Sequence, residues 1–186
     1  MNRRKNIRRV FLIAAFSLIV YLILSISISV ETTFNDDLHM IIPSSLFIAD
    51  DDKYVFDNLD IFKLHMDSLK NSQLSYHVNL LTRNTDIYGY VEIWQTDEVL
   101  SICLEKSKAE FDRELSDFSE TFPHGDAKLR QWQYSVKNDN NIEYRVKQYF
   151  SRKADNIVAI SLFVPASEWS AKYDDLFEDL KWSVKF

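Results

Sequence analysis

The longest apolar stretch of the chain runs from Val10 to Val30 and contains 21 residues without a charge. At a rise of 1.5 Å per residue, a helix of that length spans about 31 Å. The hydrocarbon core of a bilayer is about 30 Å thick, and a helix crosses it because it satisfies its own backbone hydrogen bonds. Residues 10–30 are therefore predicted to be a transmembrane helix, with the lipid bilayer as a partner.

Charges on either side of this stretch predict its orientation. The basic residues of segment 1–9 are Arg3, Arg4, Lys5, Arg8 and Arg9. No acidic residue precedes Glu31. Because basic flanks stay in the cytoplasm, we expect a single-pass cell-membrane protein whose C-terminal part is extracytoplasmic. The alternative is a cleaved signal peptide, but its apolar core is shorter, about 7 to 15 residues, and the Ser-Ile-Ser sequence at 27–29 is a poor cleavage site.

After the predicted span, residues 31–37 are expected to be a short polar tether and residues 38–186 a single domain. Its first strand is predicted at Leu38 to Ile42. Segments 74–81 and 87–94 are rich in β-branched and aromatic residues and are separated by a turn sequence, which predicts a hairpin. From Ile61 onward, alternating apolar and polar residues favour another strand, although a short helix would also fit.

Two later segments have helical spacing. The first is predicted from Leu100 to Phe118, with an apolar stripe made of Leu100, Leu104, Ser107, Phe111, Leu115 and Phe118. The second is predicted from Trp169 to Leu180, after an N-cap at Ser167.

Segments 128–136, 142–150 and 157–164 lie between these helices and are joined by short turn sequences, so they are predicted to form an antiparallel meander. The last segment is almost wholly apolar, which is typical of a central strand covered on both faces. Residues 183–186 could add an edge strand. The predicted class is α+β, a mostly antiparallel α/β/α sandwich with helices on both faces, behind one N-terminal transmembrane helix.

Charge and cysteine content exclude several functions. Five of the 22 basic residues precede the span, so 17 remain against 28 acidic residues. Nucleic acids bind basic surfaces and are therefore not expected as partners. Cys103 is the single cysteine, so an internal disulfide is excluded. It lies beside the apolar stripe of the first predicted helix, where packing is expected rather than nucleophilic chemistry.

The sequence predicts no cofactor, no catalytic residue and no firm metal site. The histidines, which lack helical ligand spacing, are His39, His65, His77 and His124. His65 and His77 could face each other across a hairpin, but surface positions are favoured. Asp50, Asp51 and Asp52 are weak calcium candidates, because the alternating ligands and the glycine of a calcium loop are missing. No GxSxG, Walker or GxGxxG motif occurs.

Aromatic residues make up 14% of the chain. Most are expected in the core and on sheet faces covered by helices. Those that stay exposed would mark a binding face. The candidates for such a face are Tyr88, Tyr90 and Tyr134.

Four short motifs carry a family resemblance. They are IPSS around Pro43, GYVEIW at 89–94, LEKSK at 104–108 and FVPASEW at 163–169. Over residues 38–186 the chain resembles the PsbP-related proteins of Gram-positive bacteria. The resemblance implies a Mog1/PsbP-like α/β/α sandwich, a fold whose better-known members are non-catalytic.

These observations favour a membrane-anchored, extracytoplasmic, non-enzymatic module that binds a protein or an envelope component. The alternative is a domain that binds a small ligand or a divalent cation such as Ca²⁺ through the acidic loop at 50–52. A third hypothesis, an enzyme with paired carboxylates or a His-carboxylate cleft, requires convergent titratable groups in a pocket.

Overall fold

The computed structural model describes residues 30–35, 38–43, 45–48, 72–82, 87–111, 114–138 and 140–185. The predicted transmembrane segment as far as residue 29, the acidic loop at 50–52 and the strand predicted from Ile61 lie outside these residues. Among the residues that the structure describes, no helix has the length and apolar character needed to span a membrane.

Ten strands and two helices form the described part of the chain. The strands are β1 Val30–Asn35, β2 Leu38–Ile42, β3 Phe47–Ile48, β4 Gln73–Leu81, β5 Tyr88–Gln95, β6 Ser116–Thr121, β7 Leu129–Lys137, β8 Glu143–Lys153, β9 Asn156–Pro165 and β10 Val184–Lys185. The helices are α1 Leu100–Glu110 and α2 Ala171–Ser183, and 3-10 turns occupy Pro123–Gly125 and Ala166–Glu168. The α+β class predicted from the sequence is confirmed.

Seven strands form one antiparallel sheet in the order β3-β4-β5-β9-β8-β7-β6. The predicted hairpin is the pair β4 and β5, and the predicted meander is β7, β8 and β9. β9 occupies the centre of the sheet, and its residues after Asn156 are buried. Its continuous apolar sequence therefore reflects cover on both faces.

Successive residues of β9 pack into different parts of the core. Ala159 and Phe163 belong to the cluster that contains Leu104 of α1. Val158 instead packs with Leu180 of α2. Because successive side chains of a strand point to opposite faces, α1 and α2 cover opposite faces of the sheet. We call these the α1 face and the α2 face.

A small sheet of order β1-β2-β10 brings the two ends of the described chain together. Val30 pairs with Ile42, and Val184 pairs with Met40. Ile42 is buried in the same cluster as Leu180, so this sheet packs where α2 ends. The tether predicted at 31–37 is corrected here, because residues 30–35 form a paired strand. Polar composition is typical of a linker, but strand pairing is made by backbone N–H and C=O groups, which polar residues also supply.

The first helix is shorter than its apolar spacing predicts. α1 ends at Glu110, Phe111 has extended backbone angles, and β6 begins at Ser116. Leu115 and Phe118 nevertheless pack against the same cluster as α1. The apolar spacing therefore predicts correctly which residues are buried, but it predicts a helix that is too long. Both α1 and the segment after it cover the same face of the sheet, so the spacing continues past the end of the helix.

The second helix also begins later than predicted. Ser167 lies in a 3-10 turn rather than at the N-cap, and α2 starts at Ala171. The buried residues Tyr173, Phe177 and Leu180 confirm the predicted apolar stripe of α2. The edge strand expected at the end of the chain is β10, which pairs with β2.

Candidate functional site

A row of buried polar side chains crosses the α1 face. The strand register places Asn79 of β4, Tyr90 of β5, Ser161 of β9 and Gln148 of β8 side by side. All four are buried. We call them the polar row. Burying a polar group costs free energy unless it is hydrogen-bonded, so each of these residues requires partners inside the core.

Gln148 links four strands through its side-chain amide. Its Nε2 group donates to Tyr90 Oη at 2.9 Å and to Ser161 Oγ at 3.0 Å. Its Oε1 accepts a hydrogen bond from Tyr134 Oη, on β7, at 3.0 Å. Both N–H groups and the carbonyl of the amide are thus used, which stabilises the alignment of β5, β9, β8 and β7.

His77 and Glu92 form a pair directly beside the polar row. His77 Nδ1 lies 3.0 Å from Glu92 Oε1, and its Nε2 lies 2.9 Å from Asn79 Oδ1. Trp94 Nε1 donates to the second carboxylate oxygen, Glu92 Oε2, at 3.1 Å. The imidazole also stacks on Tyr90, with ring centroids 6.0 Å apart. Both ring nitrogens and both carboxylate oxygens are therefore engaged.

The surroundings of this pair favour a structural role over proton transfer. Glu92 is only 1% exposed, and the alternation of β5 places its side chain on the α1 face, between the buried residues Tyr90 and Trp94. Burial raises the pKa of Tyr90 well above its usual range, and the nearby Glu92 charge adds to that effect. Burial likewise raises the pKa of Tyr134. Both phenols stay protonated at neutral pH and serve as hydrogen-bonding groups.

The aromatic binding face predicted at Tyr88, Tyr90 and Tyr134 is corrected by the structure. All three side chains are buried on the α1 face. Tyr88 stacks on Phe163 with ring centroids 5.2 Å apart. Alternate residues of β5 and β7 point beneath α1 and the segment that follows it, so these tyrosines fill the core instead of facing solvent.

The remaining histidines and acidic candidates do not converge. His77 faces Glu92, His124 lies in an exposed turn, and His65 is outside the described residues. Within the described ranges, no group of three or more His, Cys, Asp or Glu side chains could hold a metal ion. The weak calcium candidates Asp50, Asp51 and Asp52 also lie outside those ranges.

Cys103 occupies the core position that the sequence predicts. Its side chain is buried on the α1 face, and burial raises the pKa of the thiol to about 11. The thiolate is the reactive form of cysteine, so a thiol with this pKa is a poor nucleophile at neutral pH.

We expect Cys103 to resist alkylation in the folded protein. With a pKa of about 11, about one thiol in ten thousand is ionised at pH 7, and burial blocks the reagent as well. Labelling by iodoacetamide, followed by mass spectrometry, should be slow in buffer and fast in urea. Fast labelling of the folded chain would show that Cys103 is accessible.

Among the residues whose burial the structure describes, five exposed large apolar side chains lie at one end of the sheet. They are Leu74, Val99, Ile102, Phe122 and Trp182, and we call them the apolar end. Trp182 is 65% exposed and Phe122 is 51% exposed. Ile142 is a further exposed large apolar side chain, and it lies in the connection between β7 and β8.

Strand register locates the apolar end. Leu74 pairs with Trp94, close to the end of β5, and Val99 and Ile102 follow β5 at the start of α1. The end of β5 aligns with the start of β9 and the end of β8, because Gln95 and Lys153 both pair with Asn156. The β7–β8 connection, which holds Ile142, is therefore at the opposite end.

The turn between β6 and β7 places Phe122 and Trp182 at the same end of the sheet. Phe122 follows β6, and the Arg130 guanidinium lies 4.1 Å from its ring centroid. The His124 ring lies 6.3 Å from the Trp182 ring. Trp182 is two residues past Leu180, off the buried stripe of α2, and that offset is the sequence signal that could have marked it.

Comparison with protein-family models and with curated proteins finds no match to this chain.

Proposed function

We propose that the chain is a single-pass membrane protein whose C-terminal part is an extracytoplasmic, non-enzymatic binding module for an envelope component or a protein. The apolar run at 10–30 and the basic residues before it support the anchor and its orientation. A central β9 and helices on both faces of an antiparallel sheet support the finer assignment, a Mog1/PsbP-like α/β/α sandwich.

The observation that carries this proposal is the apolar end. Trp182 is 65% exposed, so a large apolar area is open to water. Covering that area with a partner is favourable in free energy. Tryptophan also supplies a large share of the binding energy in interfaces where it is buried by a partner. Four further exposed apolar residues share that end of the sheet, so it is the surface best suited to binding.

The non-enzymatic part of the proposal rests on the state of the titratable groups. The His-carboxylate pair that an enzyme would need is present in His77 and Glu92, but each polar atom of the pair already has a partner inside the protein. A general base must lie within hydrogen-bonding reach of a substrate, and Glu92 is only 1% exposed. Cys103 is buried with a raised pKa, so it does not supply a nucleophile either.

We predict that a photoreactive phenylalanine derivative at position 182 will cross-link to a molecule of the cell envelope. Ile142 provides a matched control, because it is 42% exposed at the opposite end. In living cells, the adduct at position 182 should be several-fold more abundant than any adduct at position 142. Protease added to intact cells should also digest the C-terminal domain, since that domain is proposed to lie outside.

Two results would contradict this function. Equal cross-linking at positions 182 and 142 would show that the apolar end has no preferred binding partner. A C-terminal domain that stays intact under external protease, and is digested only after lysis, would place the module on the cytoplasmic side.

A further inference from the structure

The apolar end lies where the chain would leave the bilayer. β1 begins at Val30, where the sequence predicts the last residue of the transmembrane helix, so the predicted span is shortened there by one residue. Val30 pairs with Ile42, and Ile42 packs with Leu180 at the end of α2. Trp182 comes two residues after Leu180. The predicted span therefore joins the domain, without a spacer, near the part of the surface that carries Trp182.

A missing spacer limits how far this surface can be from the lipids. An extended residue spans at most about 3.6 Å, so even a few residues of slack would keep the start of β1 within about 10 Å of the headgroups. The domain must then present some surface to the bilayer. Its surface near the junction carries Trp182 and Phe122, whereas Ile142 is at the far end of the sheet.

The arrangement of the apolar end suits a flat partner. Leu74 lies on β4 and Phe122 follows β6, and the strand order places four other strands between these two. With strands about 4.8 Å apart, the apolar end extends for about 24 Å. Side chains spread along an edge of that length match a membrane interface better than they match a compact peptide.

The apolar end carries exposed side chains of both charge signs. Lys128 and Lys153 are exposed there, and so are Asp97, Asp126 and Asp155. Attraction to anionic lipids would need a basic cluster. Contact with the bilayer at this end is consequently apolar, and it should depend little on salt.

We infer that the apolar end rests on the outer surface of the bilayer that anchors the chain, with Trp182 and Phe122 among the lipid headgroups. Tryptophan prefers this interfacial zone because its ring is apolar and its N–H group still finds polar partners. The inference rests on the proposed function, and it names the bilayer lipid as the envelope component that the apolar end binds. The end that carries Ile142 then points away from the membrane.

The test uses the full chain in vesicles of phosphatidylethanolamine and phosphatidylglycerol. Trp182→Cys, Phe122→Cys and Ile142→Cys are each labelled with a nitroxide, while the buried Cys103 stays unlabelled. Electron paramagnetic resonance then compares collisions with oxygen, which partitions into lipid, and with a water-soluble nickel chelate. We expect the oxygen-to-nickel ratio at positions 182 and 122 to be several-fold higher than at position 142, at both low and high salt.

Three other outcomes would contradict either the inference or the proposed anchor. If the chain floats with the vesicles and positions 182 and 122 collide with the nickel chelate as freely as position 142, the inference fails while the anchor stands. Protection of positions 182 and 122 from both reagents would mean that a protein, or a second copy of the chain, covers the apolar end, and would also overturn it. A chain that does not float with the vesicles would remove the proposed anchor itself. Cooperative thermal unfolding of each variant, compared with the parent, controls for folding.

Discussion

Replacement of His77 by alanine is expected to lower the free energy of unfolding by about 1 to 3 kcal/mol, the usual cost of leaving a buried hydrogen-bonding group without its partner. Glu92 is 1% exposed and accepts hydrogen bonds from only two side chains, those of His77 and Trp94, among the contacts described above. Without His77, the carboxylate stays in the core with one oxygen unpaired. Urea denaturation of the full chain in detergent, followed by tryptophan fluorescence, measures the change.

Glu92→Gln provides the control for this prediction. Glutamine keeps a carbonyl that can accept from Trp94 and removes the negative charge. The double variant His77→Ala with Glu92→Gln should therefore be more stable than His77→Ala alone, by about 1 kcal/mol or more. If the losses in unfolding free energy of the two single variants sum to the loss of the double variant, the two residues do not act as a unit. The structural role assigned to the pair is then wrong.

Replacement of Gly89 by alanine is expected to cost about 3 kcal/mol or more, because no side chain fits at this position. A Cβ atom there would lie 2.3 Å from the backbone carbonyl oxygen of Ser161. Gly89 pairs with Leu162 across β5 and β9, in the middle of the seven-stranded sheet. Relief of the clash would require the central strand to move. Thermal unfolding compared with the parent chain measures the loss.

Gly125→Ala is the matched control. Gly125 has a φ angle of +69°, and a Cβ atom there meets nothing within 4 Å. Its replacement should cost only the conformational penalty of the left-handed region, about 1 kcal/mol. Equal losses for the two variants would mean that steric contact with β9 is not what requires glycine at position 89.

Several elements could be predicted because their signals are local. The uninterrupted apolar sequence of β9 predicted its central position, and the turn sequences on either side of β8 predicted the meander. The α2 stripe of Tyr173, Phe177 and Leu180 was likewise evident from spacing. Propensity and periodicity depend on neighbours in the sequence, so they remain informative without tertiary context.

Other features depended on contacts between distant residues. Leu115 and Phe118 continue the spacing of α1, yet the backbone leaves the helix at Glu110, since these side chains reach the same core from β6 and the loop before it. Glu92 stands out in the apolar strand β5, but its partner His77 is 15 positions away and is found only through the register of β4 and β5.

Residue order alone was enough to predict the antiparallel sheet, its central strand, the approximate positions of both helices and the packing role of Cys103. Tertiary structure decided which aromatic residues face water. It buried Tyr88, Tyr90 and Tyr134 and left Phe122 and Trp182 at the surface. The physical reason is that periodicity reports how residues alternate within one element, whereas exposure depends on which other elements cover each face.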